Sequence, residues 1–406
     1  MFCEPSRLGA SDKPGTHSKE FEYYARLARI DSSIHRFEIP MLVMKKKNIA
    51  IVGINGIPAR YGGFETLAEN LVNGLKDDFY FTVYCSKTQT SQRRHRYNGA
   101  RLIYLPLRAN GWQSILFDTF SLFHALFYSD AILVLGPSFG FVYPIRFLFL
   151  KALYVNHGGL NEWEREKLSR IQKKYVFWSH YIAAKAATCN IADNNILKES
   201  ILSSFQEKAI VIRYGGDHAK VPECSVEMEK KYNLKSGEYF ISVARAQIDN
   251  NIHIALESFS RSPMHSLVMI SNWGVSDYGK QLFVHYSECP NIRLLNAIYD
   301  QSELNLLRGN ARAYIHTHSR CGTAPSLVEA ICLGLPIISY DVPTNRETTQ
   351  GNAQFFTTSD ELLAILDNFD SKTAYAMRDR LCNIAQNEYT WAKICSDYRG
   401  LLSIVK

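Results

Sequence analysis

The chain has 406 residues, 46% of them hydrophobic and 21% charged, with a formal net charge of +7. That length exceeds the usual size of one hydrophobic core, so two domains are expected, each with apolar residues enough for a core of its own. The charge is modest for the length and excludes the dense basic footprint of a nucleic-acid binder, while nine cysteines without a C-x-x-C pair argue against a disulfide framework or a structural zinc site and for a reducing, cytoplasmic location.

Residues 1–43 carry Pro5, Pro14 and many charges but no apolar signal-peptide core. They read as an unstructured extension or a misassigned start, with the folded chain beginning near Met44. A lysine cluster then leads into NIAIVGI (48–54), a buried-strand pattern, followed by the glycine-bearing loop NGIPARYGG (55–63) and a helix from Phe64 with apolar residues at 64, 67, 68, 71, 72 and 75. This is the βα unit of a doubly wound sheet. Further strands are expected at 81–85, 101–106, 131–136, 152–157, 188–193 and 209–215, giving a parallel sheet over a first domain of residues 44–215. The apolar region Phe117 to Val155 is broken by Asp118, His124, Asp130, Pro137, Pro144, Arg146 and Lys151, so it holds no uninterrupted membrane-length span. Lys45, Lys46, Lys47 and the run Arg93, Arg94, His95, Arg96 are local concentrations of positive charge that suit anionic lipid or a phosphorylated acceptor.

After the loop YGGDHAKVP (214–222) the architecture repeats, with strands expected at 239–245, 266–271, 292–296, 313–318 and 336–341 in a second domain of residues 216–385. The remainder, 386–406, reads as a helix packing back across the domains, with Trp391, Ile394, Cys395, Tyr398, Leu401 and Leu402 on one face. The expected fold is α/β, two Rossmann-like parallel sheets facing a cleft, with ligands at the carboxyl ends of the strands.

The densest motif is HTHSRCGTAPSLVEAICLGLPIISYD (316–341). Thr323 is placed to cap a helix whose first turn holds Pro325, with the backbone N–H groups of Ser326 and Leu327 open to an anion. Gly334 should end that helix and Pro336 cannot continue it. Glu329 lies a turn inside, where a carboxylate suits ribose hydroxyls rather than phosphate. His316 and His318 share a strand face, a metal-pair spacing without a third ligand nearby, and the chain has no D-x-D motif, so no metal is expected.

Taken together, IVGINGIPARYGGFETLAENLV (51–72), VNHGGLNEWER (155–165), YGGDHA (214–219), VARAQIDNN (243–251), HTHSRCGTAPSLVEA (316–330) and DVPTNRE (341–347) resemble the bacterial rhamnosyltransferase-type branch of glycosyltransferase family 4. The resemblance implies a GT-B fold, a nucleotide-sugar donor held mainly by the second domain, an acceptor held mainly by the first, and retention of anomeric configuration. It implies an oligosaccharide or lipid-diphosphate-linked acceptor in capsule, exopolysaccharide or O-antigen synthesis, with peripheral contact at the inner membrane face. No cofactor is implied beyond the donor, for which dTDP-rhamnose is favoured and a UDP-sugar left open.

Carried over by position, Gly62, Gly63, Arg245, Asn250, His318, Gly322, Thr323, Ser326, Leu327 and Glu329 fall to the donor, and Arg60, Tyr61, Glu162 and Arg165 to the acceptor. Arg245 would clamp the diphosphate and stabilise it as leaving group, Glu329 would hold the nucleotide, and His157 would end its strand beside the transferred sugar. The chain departs from the wider family 4 pattern where Asn250 and Asn251 stand in place of a lysine and where Cys321 stands at an earlier glutamate, a position that looks like glycine in the rhamnosyltransferase branch, and it departs from that branch where Gly-Gly-Leu-Asn-Glu-Trp replaces Asp-Gly-Leu-Glu-Trp. A retaining glycosidase would need two carboxylates about 5 Å apart, and no such pair is evident, so the expected mechanism is front-face substitution with the leaving diphosphate taking the acceptor proton. A non-catalytic GT-B scaffold that binds nucleotide sugar is the rival reading, and a GT-B epimerase a second.

Overall fold

The computed structural model describes residues 46–59, 62–87, 94–159, 161–165, 168–222 and 230–404. The extension expected over 1–43, together with Arg60, Tyr61 and Arg93, lies outside the described residues. From Lys46 on, the chain forms one unit around two sheets. The first contains β1 (Asn48–Val52), β2 (Tyr80–Ser86), β3 (Arg96–Tyr97), β4 (Ala100–Leu105), β5 (Ala131–Leu135), β6 (Ala152–Asn156), β7 (Cys189–Ala192) and β8 (Ala209–Val211). The second contains β9 (Tyr239–Val243), β10 (Ser266–Ser271), β11 (Ile292–Asn296), β12 (Ala313–His316), β13 (Ile337–Tyr340) and β14 (Gln354–Phe356).

Their spatial orders are β3-β4-β2-β1-β5-β6-β7-β8 and β11-β10-β9-β12-β13-β14. Every pairing is parallel except the edge hairpin β3–β4, so the expected parallel α/β architecture holds with one antiparallel strand added. Strands such as β1 and β5 are apolar on both faces because helices cover both sides. In each sheet the order reverses once, between β1 and β5 and between β9 and β12. A doubly wound sheet opens its crevice at such a reversal, because the crossovers on either side leave toward opposite faces.

The helices that shape the site are α1 (Gly63–Leu75), α2 (Gln113–Tyr128), α3 (Arg170–Ala186), α4 (Asn195–Glu199), α5 (Gln301–Gly309), α6 (Pro325–Cys332), α7 (Pro343–Thr348) and α8 (Trp391–Ser403). The C-terminal helix α8 returns to the first sheet: Trp391, Ile394, Cys395, Tyr398, Leu401 and Leu402 complete the core beneath α1. Its Tyr398 hydroxyl accepts from the Asn156 side chain at 3.0 Å. Glu347 of α7 reaches the other way, accepting from the backbone amides of Asn195 (2.9 Å) and Ile196 (3.1 Å) at the start of α4 and pairing with Arg213. The carboxylate sits on a helix N-terminus, where the exposed N–H groups favour negative charge. No helix among the described residues is long and apolar enough to cross a membrane.

Candidate active site

The loop after β1 and the start of α6 meet. Gly62 has φ +118°, a conformation that a side chain would strain. A Cβ added to Gly63 would lie 2.8 Å from Pro325 Cγ. Backbone from the first sheet therefore approaches the first turn of a second-sheet helix with no room for a side chain between them.

Local geometry at α6 differs from expectation in two respects. Ala324, not Thr323, is the N-cap, with Pro325 at the first helical position. Thr323 instead binds Asp193 at the end of β7, its amide donating to the carboxylate at 2.8 Å and its hydroxyl to the backbone carbonyl at 2.9 Å. Proline fixes the helical start by itself, which frees the threonine for this contact. The Leu327 amide, expected to be open, donates to the Ala324 carbonyl at 3.0 Å, so Ser326 supplies the first unsatisfied donor of the turn. Ser326 also meets the Tyr314 phenol through its side chain. Gly322 fits because a Cβ there would stand 2.6 Å from Asp193 Oδ2 and 2.7 Å from the Gly158 carbonyl oxygen. The helix ends as expected, with Gly334 at φ +73°.

Glu329 lies on the second turn, held from two sides. Arg308 of α5, wholly buried, donates to Oε2 at 2.5 Å, and His218 Nε2 stands 3.2 Å from Oε1. Burial alone would raise this carboxyl, but Arg308 and His218 outweigh it and hold the group below the usual carboxylate range. An ionised, oriented acceptor of hydrogen bonds results. Neither partner was assigned a role from sequence. The apolar setting of Arg308 in LNLLRGN was the available signal, since a buried arginine requires a counter-charge.

A cationic rim faces the same loop. Arg245, exposed just beyond β9, and Arg165 both depress the ionisation of His318, whose pKa falls to about 3, first through burial and then through these two charges. The same two arginines, with Glu162 and Asp193, surround Cys321, whose thiol burial pushes up to about 12. Among the described residues no acidic side chain pairs with Arg245. Arg165 and Glu162, assigned separately to the acceptor, bind each other at 2.5 Å. Asn250, assigned to the donor from sequence, turns its amide onto the Arg245 carbonyl at 2.8 Å and so shapes the loop that carries Arg245.

His157 does not line an open cleft. It is 1% exposed, with Nε2 2.9 Å from Asn190 Oδ1. Because Asn190 spends its amide on the Ala184 carbonyl, its oxygen accepts, and the imidazole is neutral with Nδ1 unprotonated. Burial lowers its pKa to about 4. A strand-end residue can turn toward the sheet's neighbour as easily as toward the cleft, and the empty acceptor of Asn190 decides the direction here. His316 and His318 stack, with ring centroids 4.6 Å apart, and no cluster of three or more potential metal ligands occurs among the described residues.

Two facing Rossmann-like sheets, with a helix start, glycine backbone and cations gathered at their strand ends, define the GT-B class. Residues 226–364 match the family described as Glycosyl transferases group 1, and residues 46–217 match the one described as Domain of unknown function (DUF1972). The chain is a glycosyltransferase whose second half carries a group 1 domain. No curated protein matches its sequence.

Among solved structures it is similar to sucrose-phosphate synthase from Thermosynechococcus elongatus, with a TM-score of 0.74 at 15% identity over 88% of this chain and 100% of that one. HepE of Anabaena in complex with UDP gives 0.67 at 14% identity over 88% and 99%, and the lipopolysaccharide glycosyltransferase WaaG gives 0.66 at 12% over 88% and 100%. Likeness at these identities carries the fold. Neither family description specifies rhamnosyl transfer.

Proposed function

We propose that the chain transfers a sugar, with retention of configuration, from a nucleoside diphosphate donor to a saccharide acceptor. The observation that carries this reading is the approach of Gly63 to Pro325, which brings glycine backbone of the first sheet against a helix start of the second, an arrangement that suits a diphosphate. In this reading the Ser326 amide and Arg245 bind the diphosphate and stabilise it as charge develops on departure, while Glu329 accepts hydrogen bonds from the ribose. The leaving phosphate oxygen takes the acceptor proton on the same face. Rhamnose on dTDP is the donor favoured by the sequence motifs. A uridine donor has independent support from HepE, which is described with both UDP and UDP-glucose.

A lipid-linked acceptor at the inner membrane face accords with the apolar side chains exposed between residues 112 and 178, among them Trp112, Phe127, Leu148 and Leu150. The test is incubation with dTDP-rhamnose, UDP-glucose and saccharide acceptors, the product's anomeric configuration being read by NMR. A product that keeps the donor's anomeric configuration supports the proposal. An inverted product, or no transfer and no donor hydrolysis, contradicts it and returns the scaffold reading.

A further inference from the structure

The second sheet holds a cavity of about 530 Å³ at the edge where its strands begin, and no reading above assigns it. Gly237, Arg312 and Pro336, which lie just before β9, β12 and β13, line it. Strands of a parallel sheet all run from that edge to the carboxyl ends, so the cavity and the donor loop lie at opposite edges of the sheet. Two arginines line the cavity. Arg312 stacks on Phe240 and Phe369, 5.6 and 5.5 Å from the ring centroids, and donates Nη2 to the Phe369 carbonyl at 2.8 Å, which leaves most of its N–H donors over. Arg378 shares a face of the helix Ser371–Glu388 with Ser371, Ala374 and Tyr375, all of which line the cavity. Among the described residues neither arginine forms an ion pair. The carboxylate of the lining, Asp370, caps that helix by accepting from the Thr373 amide at 2.7 Å, and one carboxylate against two guanidinium groups leaves the cavity positively charged.

The same cavity touches both helices that hold Glu329. α5 ends at Gly309, the residue after the buried Arg308, and Gly309, Asn310 and Ala311 form part of the lining. α6 ends at Cys332, and Leu333 and Gly334 line the cavity directly after it. Arg378 Nε would stand 3.4 Å from a Cβ on Gly334, at the carbonyl end of α6, where a cation is favoured. A ligand that draws on Arg378 or displaces either turn therefore acts on the elements that set the Arg308–Glu329 pair.

We propose that this cavity is an effector site for a small phosphorylated polyol, such as a sugar phosphate, and that its occupancy changes donor affinity through the ends of α5 and α6. Guanidinium forks match the oxygens of a phosphate two at a time. A free phosphate would fill only a small part of about 530 Å³, a volume within the usual range for small-molecule pockets. The hydroxyls of Ser236 and Ser371 and the side chain of Asn310 line the remainder. Asn310 spends its amide on the Leu306 carbonyl at 2.8 Å, so its oxygen is the part left to accept from a ligand hydroxyl. The binding stands on the cavity alone, whereas the coupling rests on the donor reading above.

The test is calorimetric titration of the full chain with glucose 6-phosphate, inorganic phosphate and glucose, each alone and with saturating UDP. The proposal expects glucose 6-phosphate to bind about tenfold or more tighter than either of the others, since each of those lacks half the recognition. Arg378→Ala, at an exposed helix position, should weaken glucose 6-phosphate about tenfold or more while leaving Tm unchanged. Saturating glucose 6-phosphate should shift the UDP Kd about fivefold or more, and UDP should shift the glucose 6-phosphate Kd by the same factor, because coupling between two sites is reciprocal. Absence of glucose 6-phosphate binding, equal binding by glucose or by inorganic phosphate, or an unaffected Arg378→Ala variant would overturn the site. A UDP Kd indifferent to glucose 6-phosphate would overturn the regulation. If UDP itself does not bind, the donor reading fails and the coupling with it, while binding of glucose 6-phosphate that is lost in Arg378→Ala still upholds the site.

Discussion

Trp391 donates its indole N–H to His218 Nδ1 at 2.9 Å. The indole can only donate, so Nδ1 accepts, and the ring proton of neutral His218 sits on Nε2, facing Glu329 Oε1 at 3.2 Å. A Cβ on Gly215 would lie 2.5 Å from the same indole, and the Trp391 amide donates to Asp217 at 2.8 Å. The two chain crossings between the sheets are thus tied together and connected to the carboxylate proposed to hold the ribose. His218→Ala should raise the donor KM several-fold while changing kcat little, because His218 orients Glu329 and touches no reacting atom. His218→Gln, whose amide replaces the Nε2 donor, should recover most of the affinity. A kcat loss without a KM change would contradict this positioning role.

Arg308 is wholly buried and faces Glu329. Arg308→Met strands the carboxylate, and the expected loss of stability is about 3 kcal/mol or more. Urea denaturation measures it. An Arg308→Met/Glu329→Gln double variant should lose less than the two single losses added, since neither charge is then left alone; simple additivity would mean that the two groups do not interact.

The sequence reading located the strands because strands buried on both faces of a parallel sheet appear as apolar runs, as in Leu267–Ser271, where every residue is buried. It missed β14 (Gln354–Phe356), three residues long, and β3, two residues long, although Asn98 and Gly99, at φ 44° and +86°, are the Asn-Gly pair that marks a tight hairpin. The helix that carries Glu329 and its stop at Gly334 were legible because helix punctuation is local. Arg308 and His218 were not, because each meets Glu329 through the fold, from a different element. His157 was misplaced for the same reason: its direction depends on Asn190, on the neighbouring strand.

Gly62 and Gly63 should respond differently to alanine. Gly62→Ala forces a side chain into φ +118° and should cost about 1–3 kcal/mol of stability, read as a fall in Tm. Gly63→Ala pushes on Pro325 and should lower transfer while Tm changes little, because the proline ring and helix start can yield slightly. Wild-type transfer by Gly63→Ala would show that the close approach is not needed for the reaction.

Burial raises the Asp193 carboxyl to about 7 from an ordinary 3.8, against the opposing pull of its hydrogen bond from Thr323. The folded chain therefore keeps a proton that the unfolded chain releases, so this residue's contribution to stability declines as pH rises from about 4 to about 7 and is constant above. Asp193→Asn has no proton to lose. Its Tm relative to wild type should climb across that window in a pH series of thermal melts, and a pH-independent difference would show that the carboxyl is not held neutral.

Central to the proposed function is a nucleoside diphosphate bound by the Ser326 amide, the Gly62–Gly63 backbone and Arg245. Calorimetric titration of the wild type and Arg245→Ala with UDP, dTDP and GDP addresses it directly, because no acceptor is required and Arg245 is exposed, with no acidic partner among the described residues, so its removal should leave the fold intact. The account predicts selective binding with a Kd on the order of micromolar, weakened by about 2 kcal/mol or more in Arg245→Ala. Absence of binding by all three nucleotides, or equal affinity in the variant, would contradict it.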